Sequence, residues 1–369
     1  MAACGSSPID RGARLGRFGD AALGEDRIAG DALRNYVQEI LRGHGVDDEQ
    51  AQIVSGNLVW SELVGRSTQG VVRMPVYAER LRRGVLKCPC SPTFEVCAPC
   101  MQLLDGDEGF GQYVGELGMR RAIEIARENG VGAVGVHNSN FFGTGAYFAN
   151  MAARADMLAL VVTNSFPKVA AHGGLKSVLG TNPFAFGAPR RNGQGILVDM
   201  ATSALAGSTV REHAAKSRPL PAGLAINASN APVTDARDVE AGALLPFGGA
   251  KGYGLALMVE VLGGVITGAG VSHGVASMYN NFKESGNNGH FLMALDISRW
   301  MPLEAYFDRL ESLVATIKAS GLGREVLLPG EARWKAYACN CVNGIAVAPE
   351  TRVKLGQLAA PLGIRAPWE

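Results

Sequence analysis

The hydrophobic period changes twice along this chain, and that change limits what it can fold into. Asp31 to Arg42 sets Leu33, Tyr36, Val37, Ile40 and Leu41 on one helical face behind an Asp N-cap, with Gly43 and Gly45 as stops. A second helix is predicted from about Asp48 to Leu63, and Pro75 to Leu86 reads as a third amphipathic helix. After Pro92 the pattern shortens. Val131 to Val136, Leu158 to Thr163, Pro183 to Gly187 and Ile196 to Met200 are short apolar runs between glycine-rich turns, with helices expected at Gly115 to Asn129 and Gly252 to Val261. A last strand, His290 to Asp296, gives way to an amphipathic helix from Leu303 to Lys318 and a helical tail. The fold class expected is α/β in a broad, α+β sense: a mixed, largely antiparallel sheet with helices over residues 91–296, and a helical domain over 26–90 and 297–369 built from both ends.

Charge excludes some partners. Lys and Arg number 35 against 34 Asp and Glu, a net charge of +1, and no basic cluster offers a surface to nucleic acid or an anionic membrane. The longest apolar stretch, Gly252 to Val271, matches a membrane span in length but carries Glu260 and several glycines, so a buried core helix is expected instead. Residues 1–25 lack apolar periodicity and read as a flexible leader, an expression scar or a transit peptide. With no secretory signal, a cytoplasmic protein with reduced thiols is expected. Cys88, Cys90, Cys97 and Cys100 cluster, but the first pair is too close for a zinc knuckle and no His sits nearby, so free thiols and no metal are expected there. Cys339 and Cys341 are still less specific.

Glycine motifs bear on cofactor binding. A GxGxxG string exists at Gly130, Gly132 and Gly135, yet it ends a helix and enters a strand, the reverse of a dinucleotide fingerprint. It reads as a helix C-cap and a small-residue strand. Gly248 to Gly254 (GGAKGYG) is better placed: it opens the apolar helix LALMVEVL, and bare amides with Lys251 make either an anion site or a structural turn.

As a set, GTNPFAFGAP (Gly180 to Pro189), VDMATSALA (Val198 to Ala206), LLPFGGAKGYGLALMVEVL (Leu244 to Leu262), NNGHFLMALD (Asn287 to Asp296) and LLPGE (Leu327 to Glu331) resemble the type 2 malate/L-lactate dehydrogenase family. DGDEGFGQ (Asp105 to Gln112), HNSN (His137 to Asn140) and RSTQGVVR (Arg66 to Arg73) line up with it too, in unbroken order over about residues 28 to 365. The resemblance implies a homodimeric oxidoreductase of small 2-oxo or 2-hydroxy acids or cyclic imino acids, using NAD or NADP on a fold that is not a Rossmann domain. It places the cofactor on Asp199, Met200, Ala201, Thr202 and Ser203, on Ala250, Lys251 and Gly252, and on Gly330 with Glu331, while Thr181 and Asn182 shape the nicotinamide pocket or a structural turn. Arg73 takes the position of the family's carboxylate-binding arginine, and a guanidinium can grip a carboxylate with two parallel hydrogen bonds. Thr68 and Phe141 join it at the substrate.

The departures are as informative. Where the family has the histidine that serves as general acid and base, this chain has Gln69, and an amide cannot exchange a proton at neutral pH as an imidazole does. A second family histidine is Phe141, and that of the GGHKG turn is Ala250. Either the pocket is retuned for a cyclic iminium that arrives protonated, with Phe141 as a ring wall, or a dinucleotide site is retained without redox turnover. His172, Lys168, Tyr147 and Asp199 are the candidates for rescuing acid catalysis, although His172 reads first as a structural histidine.

Overall fold

The computed structural model describes residues 27–369, and the leader expected over 1–25 lies outside them. Leu33, Tyr36, Val37, Ile40 and Leu41 are buried on α1 (Gly30–Gly43), as their spacing predicts. The cap is Ala29, so Asp31 is not the N-cap; it sits in the first turn and pairs with Arg34. Helix α2 (Asp48–Leu63) is capped by the Asp47 carboxylate, which accepts the Gln50 amide at 3.0 Å. Helix α3 (Met74–Arg82) is shorter than expected, because Gly84 turns the chain at φ +70°.

A hairpin follows, β1 (Thr93–Ala98) and β2 (Met101–Asp105), then α4 (Gly111–Asn129), β3 (Val131–Ser139), α5 (Gly145–Ala153) and β4 (Met157–Thr163). Cys97 lies near the end of β1 and Cys100 in the hairpin turn that follows it. Next come β5 (Val169–Ala170), β6 (Ser177–Leu179), β7 (Phe184–Ala188), β8 (Ile196–Met200), α6 (Gly207–Ala215), β9 (Ala225–Ile226) and β10 (Ala243–Leu244). The chain ends with α7 (Ala250–Glu260), β11 (Asn288–Asp296), α8 (Leu303–Ala319), α9 (Glu331–Asn343) and α10 (Pro349–Ala359).

Seven strands form one sheet in the order β1-β2-β3-β11-β4-β7-β8. Its only parallel pair is β2 with β3, joined through α4, because a parallel pair needs a crossover. The rest is antiparallel, and β11 lies between β3 and β4. The GxGxxG string ends α4 in a left-handed Gly130 and enters β3, where a Cβ on Gly132 would come within 2.1 Å of the Ala122 carbonyl oxygen. Four short strands, β6-β5-β10-β9, form a second sheet under α6 and α7; strands of two or three residues leave too little period to read in a sequence.

The stretch Gly252 to Val271 is not one buried helix. Helix α7 stops at Glu260, a π-helical turn covers Val261–Val265, and Leu257, Val261, Val265 and Ile266 remain exposed. Gly263 lets this turn press onto β11, where a Cβ on Gly289 would lie 1.7 Å from the Gly263 carbonyl oxygen. Among the described residues no helix is long and apolar enough to cross a membrane. One hydrophobic cluster joins both chain ends, from Leu33 and Ile40 of α1 to Ile345, Leu355 and Ala359, and a second lies between α4, α5 and the large sheet.

Candidate active site

Below α2 the chain makes two 3-10 turns, Ser67–Gln69 and Val71–Arg73, which aim Thr68, Gln69 and Arg73 at one cavity. Glu62 holds them from behind. It is 3% exposed, its Oε1 accepts the Val71 amide at 2.9 Å, and Gly70 is obligatory because a Cβ there would meet that oxygen at 2.1 Å. Burial pushes the Glu62 carboxyl above the usual carboxylate range.

The cavity has a volume of about 310 Å³ and takes its walls from distant parts of the chain. Gly143 and Thr144 come from the entry to α5, Asp199 and Met200 from the end of β8, Arg211 from α6, Tyr279 from the loop before β11, and Arg333 from α9. Arg66, Arg73, Lys168, Arg211 and Arg333 line it against a single carboxylate, Asp199. Five cations facing one anion make this a receptor for negative charge.

Arg73 is buried. Its Nη1 donates to the Tyr279 hydroxyl, and its guanidinium stacks 5.5 Å from the Phe141 ring centroid and 5.4 Å from that of Tyr279. Arg211 reaches the same hydroxyl with Nη2 at 3.0 Å and lies 4.2 Å over the same ring, and burial lowers its pKa. Arg73 Nε and Gln69 Oε1 are buried with no hydrogen-bond partner among the described residues. Asp199 accepts from the Thr144 hydroxyl and from Arg333 Nη2 at 3.1 Å. Both bonds fall on Oδ2.

Of the residues singled out from the sequence, Thr68, Gln69, Arg73, Phe141, Lys168, Thr181, Asp199, Met200 and Ala201 line this cavity. Others do not. Asn182 is buried, with Nδ2 2.6 Å from Glu260 Oε2 and Oδ1 accepting the Ser165 amide, so it ties its turn to α7. Thr202 bonds the Thr181 carbonyl and Ser203 the Leu205 carbonyl. Ala250, Lys251 and Gly252 open α7 outside the cavity lining, with Lys251 exposed. Gly330, at φ +97°, starts α9 against β8, and Glu331 pairs with Lys318 at 2.8 Å. His172 is exposed next to Gly249, and the Tyr147 hydroxyl donates a hydrogen bond to the buried Glu116 at 2.8 Å.

Sequence reasoning missed Arg66, Arg211, Tyr279 and Arg333. Arg333 follows the Gly330 and Glu331 pair by two residues, a signal within reach. Arg211 and Tyr279 sit in segments with no motif, and only the tertiary fold brings them together.

The family model for malate/L-lactate dehydrogenase matches residues 28–356. The chain is similar to the L-sulfolactate dehydrogenase of Methanothermobacter thermautotrophicus, 37% identical over 83% of this chain and 88% of the relative. It is also similar to the Delta(1)-pyrroline-2-carboxylate/Delta(1)-piperideine-2-carboxylate reductase of Pseudomonas aeruginosa, 31% identical over 87% of this chain and 96% of that one. The solved structure of sulfolactate dehydrogenase from Methanocaldococcus jannaschii superposes with a TM-score of 0.85 at 31% identity, covering 92% of this chain and 98% of the other. From its fold, its cavity and these matches, the chain belongs to the malate/L-lactate dehydrogenase family and is an oxidoreductase enzyme.

Proposed function

We propose that the chain transfers hydride between a nicotinamide cofactor, NAD or NADP, and C2 of a small 2-oxo or 2-hydroxy acid or a cyclic 2-imino acid. The observation that carries this is Arg73, buried and held between Phe141 and Tyr279, with Gln69 on the adjoining turn of the same cavity. The donor set fits such ligands. Arg66, Lys168 and Arg211 suit phosphates or carboxylates, Met200 and Ala201 offer an apolar wall to a flat ring, and Gln69 Oε1 and Arg73 Nε have no partner among the described residues.

A bound nicotinamide supplies or accepts the hydride. Arg73 grips the substrate carboxylate and fixes which face of C2 is presented. Phe141 stacks on Arg73, so it stiffens the anchor as well as walling the pocket. Gln69, in place of the family's histidine, accepts from an imine N–H or a hydroxyl, or donates to a carbonyl, without itself exchanging a proton. A cyclic iminium needs no more than that, since it arrives with its proton. The exposed apolar strip of Leu257, Val261, Val265 and Ile266 fits the homodimer that the family resemblance implies.

The test is cofactor oxidation, with NADH and NADPH, against pyruvate, oxaloacetate, pyrroline-2-carboxylate and piperideine-2-carboxylate. Turnover of one of these with loss in Arg73→Ala is the expected result. Cofactor binding without turnover of any substrate would instead show a retained dinucleotide site doing other work.

A further inference from the structure

The geometry points to Tyr279 as the proton-transfer residue for reduction of a 2-oxo acid, the role that Gln69 cannot fill; this rests on the hydride-transfer reading above. Tyr279 lines the same cavity as Gln69 and Asp199. Its hydroxyl oxygen accepts from Arg73 Nη1 and from Arg211 Nη2, which uses the acceptor positions of that oxygen and leaves its own O–H to donate. Arg73 anchors the substrate carboxylate, so an oxygen bonded to Arg73 stands beside the neighbouring C2 centre. The ring is fixed as well as the oxygen: Arg73 and Arg211 stack on it at 5.4 and 4.2 Å, and Phe166 meets it edge to face at 6.2 Å. The cavity's carboxylate, Asp199, is held through Oδ2 by Arg333 and Thr144.

The step balances. Hydride from the reduced nicotinamide forms the new C–H bond at C2, and the carbonyl π pair moves onto oxygen. The Tyr279 O–H bond breaks and its proton passes to that oxygen, giving the 2-hydroxy acid and oxidised cofactor. The pair left on Tyr279 is countered by the guanidiniums of Arg73 and Arg211, and solvent returns the proton. Oxidation of a hydroxy acid runs the same path backwards.

The experiment compares wild type, Tyr279→Phe and Lys168→Met with a 2-oxo acid and with a cyclic iminium acid, and measures oxamate binding to each by calorimetry. In Tyr279→Phe, kcat for the 2-oxo acid is expected to fall roughly a hundredfold to ten-thousandfold. Oxamate affinity and iminium reduction are expected to stay within about threefold of wild type. A rise in KM or a loss of oxamate binding with kcat intact makes Tyr279 a binding residue and overturns the proposal. So does a Lys168→Met loss of kcat with Tyr279→Phe unaffected. A wild type that reduces only the iminium overturns it while leaving hydride transfer standing, and a wild type that reduces neither removes the hydride-transfer reading itself.

Discussion

Arg333 Nη2 lies 3.1 Å from Asp199 Oδ2, with the two side chains only 6% and 12% exposed. Helix α9 is thereby pinned to the end of β8, and burial lowers the Arg333 pKa against the raising effect of Asp199. Removing one partner strands the other charge away from water. Asp199→Ala or Arg333→Met alone should cost about 3 to 5 kcal/mol in chemical denaturation, and the double variant clearly less than the sum. Additive losses would mean the pair is not coupled.

Arg73→Lys keeps the charge but removes the planar fork and the stack on Phe141. Losing one charge-assisted hydrogen bond of about 1.5 to 3 kcal/mol should raise KM for the substrate carboxylate roughly tenfold to a hundredfold. Initial-rate kinetics at fixed cofactor measure it. An unchanged KM would remove Arg73 from the substrate site.

His290 is fully buried in β11, stacked on Phe142 at 4.6 Å, with Nδ1 2.7 Å from Thr163 Oγ1 and Nε2 3.0 Å from Ser139 Oγ. Desolvation lowers its pKa to about 3, so the folded state holds it neutral while the unfolded chain protonates it below about 6.5. The unfolded state then binds the extra proton, so this contribution is whole above about pH 6.5 and is lost as pH falls toward 3, by about 1.4 kcal/mol per pH unit. His290→Gln should flatten the fall in the urea midpoint between about pH 7 and pH 5. A parallel fall in both proteins would locate the acid sensitivity elsewhere.

Gly289→Ala places a methyl 1.7 Å from the Gly263 carbonyl oxygen. Backbone must move on one side or the other, and a loss of about 1 to 3 kcal/mol with a lowered Tm is expected. Gly254→Ala, on the exposed side of α7 with open space around it, serves as the comparison and should be neutral or slightly stabilising.

The long elements were legible because their periods were long. Helices α1 and α2 and the strands β3, β4, β7, β8 and β11 follow from apolar spacing, and the inverted context of Gly130 to Gly135 excluded a Rossmann turn. The small sheet was hidden by its brevity, and α5 by an all-round apolar sequence without facial contrast, since it is buried on nearly every side. The family resemblance, carried by local motifs, led to Gln69, Arg73 and Asp199. They could not lead to Tyr279 or Arg211, whose shared hydrogen bond spans 68 residues of sequence and exists only after folding. Nor could they show that Asn182 is tied to Glu260, because a turn motif does not say which way its side chain faces.

The central position of β11 bears on how the protein is made. Strands β3 and β4 are not paired to each other; each pairs with β11, which the ribosome delivers long after both. Until residue 288 emerges, the nascent sheet has a gap at its middle with two open, apolar edges facing it. Synthesis thus leaves the central pairing of the large sheet for last, and a chain stalled or cut in the α7 region would present those edges to other molecules rather than to itself.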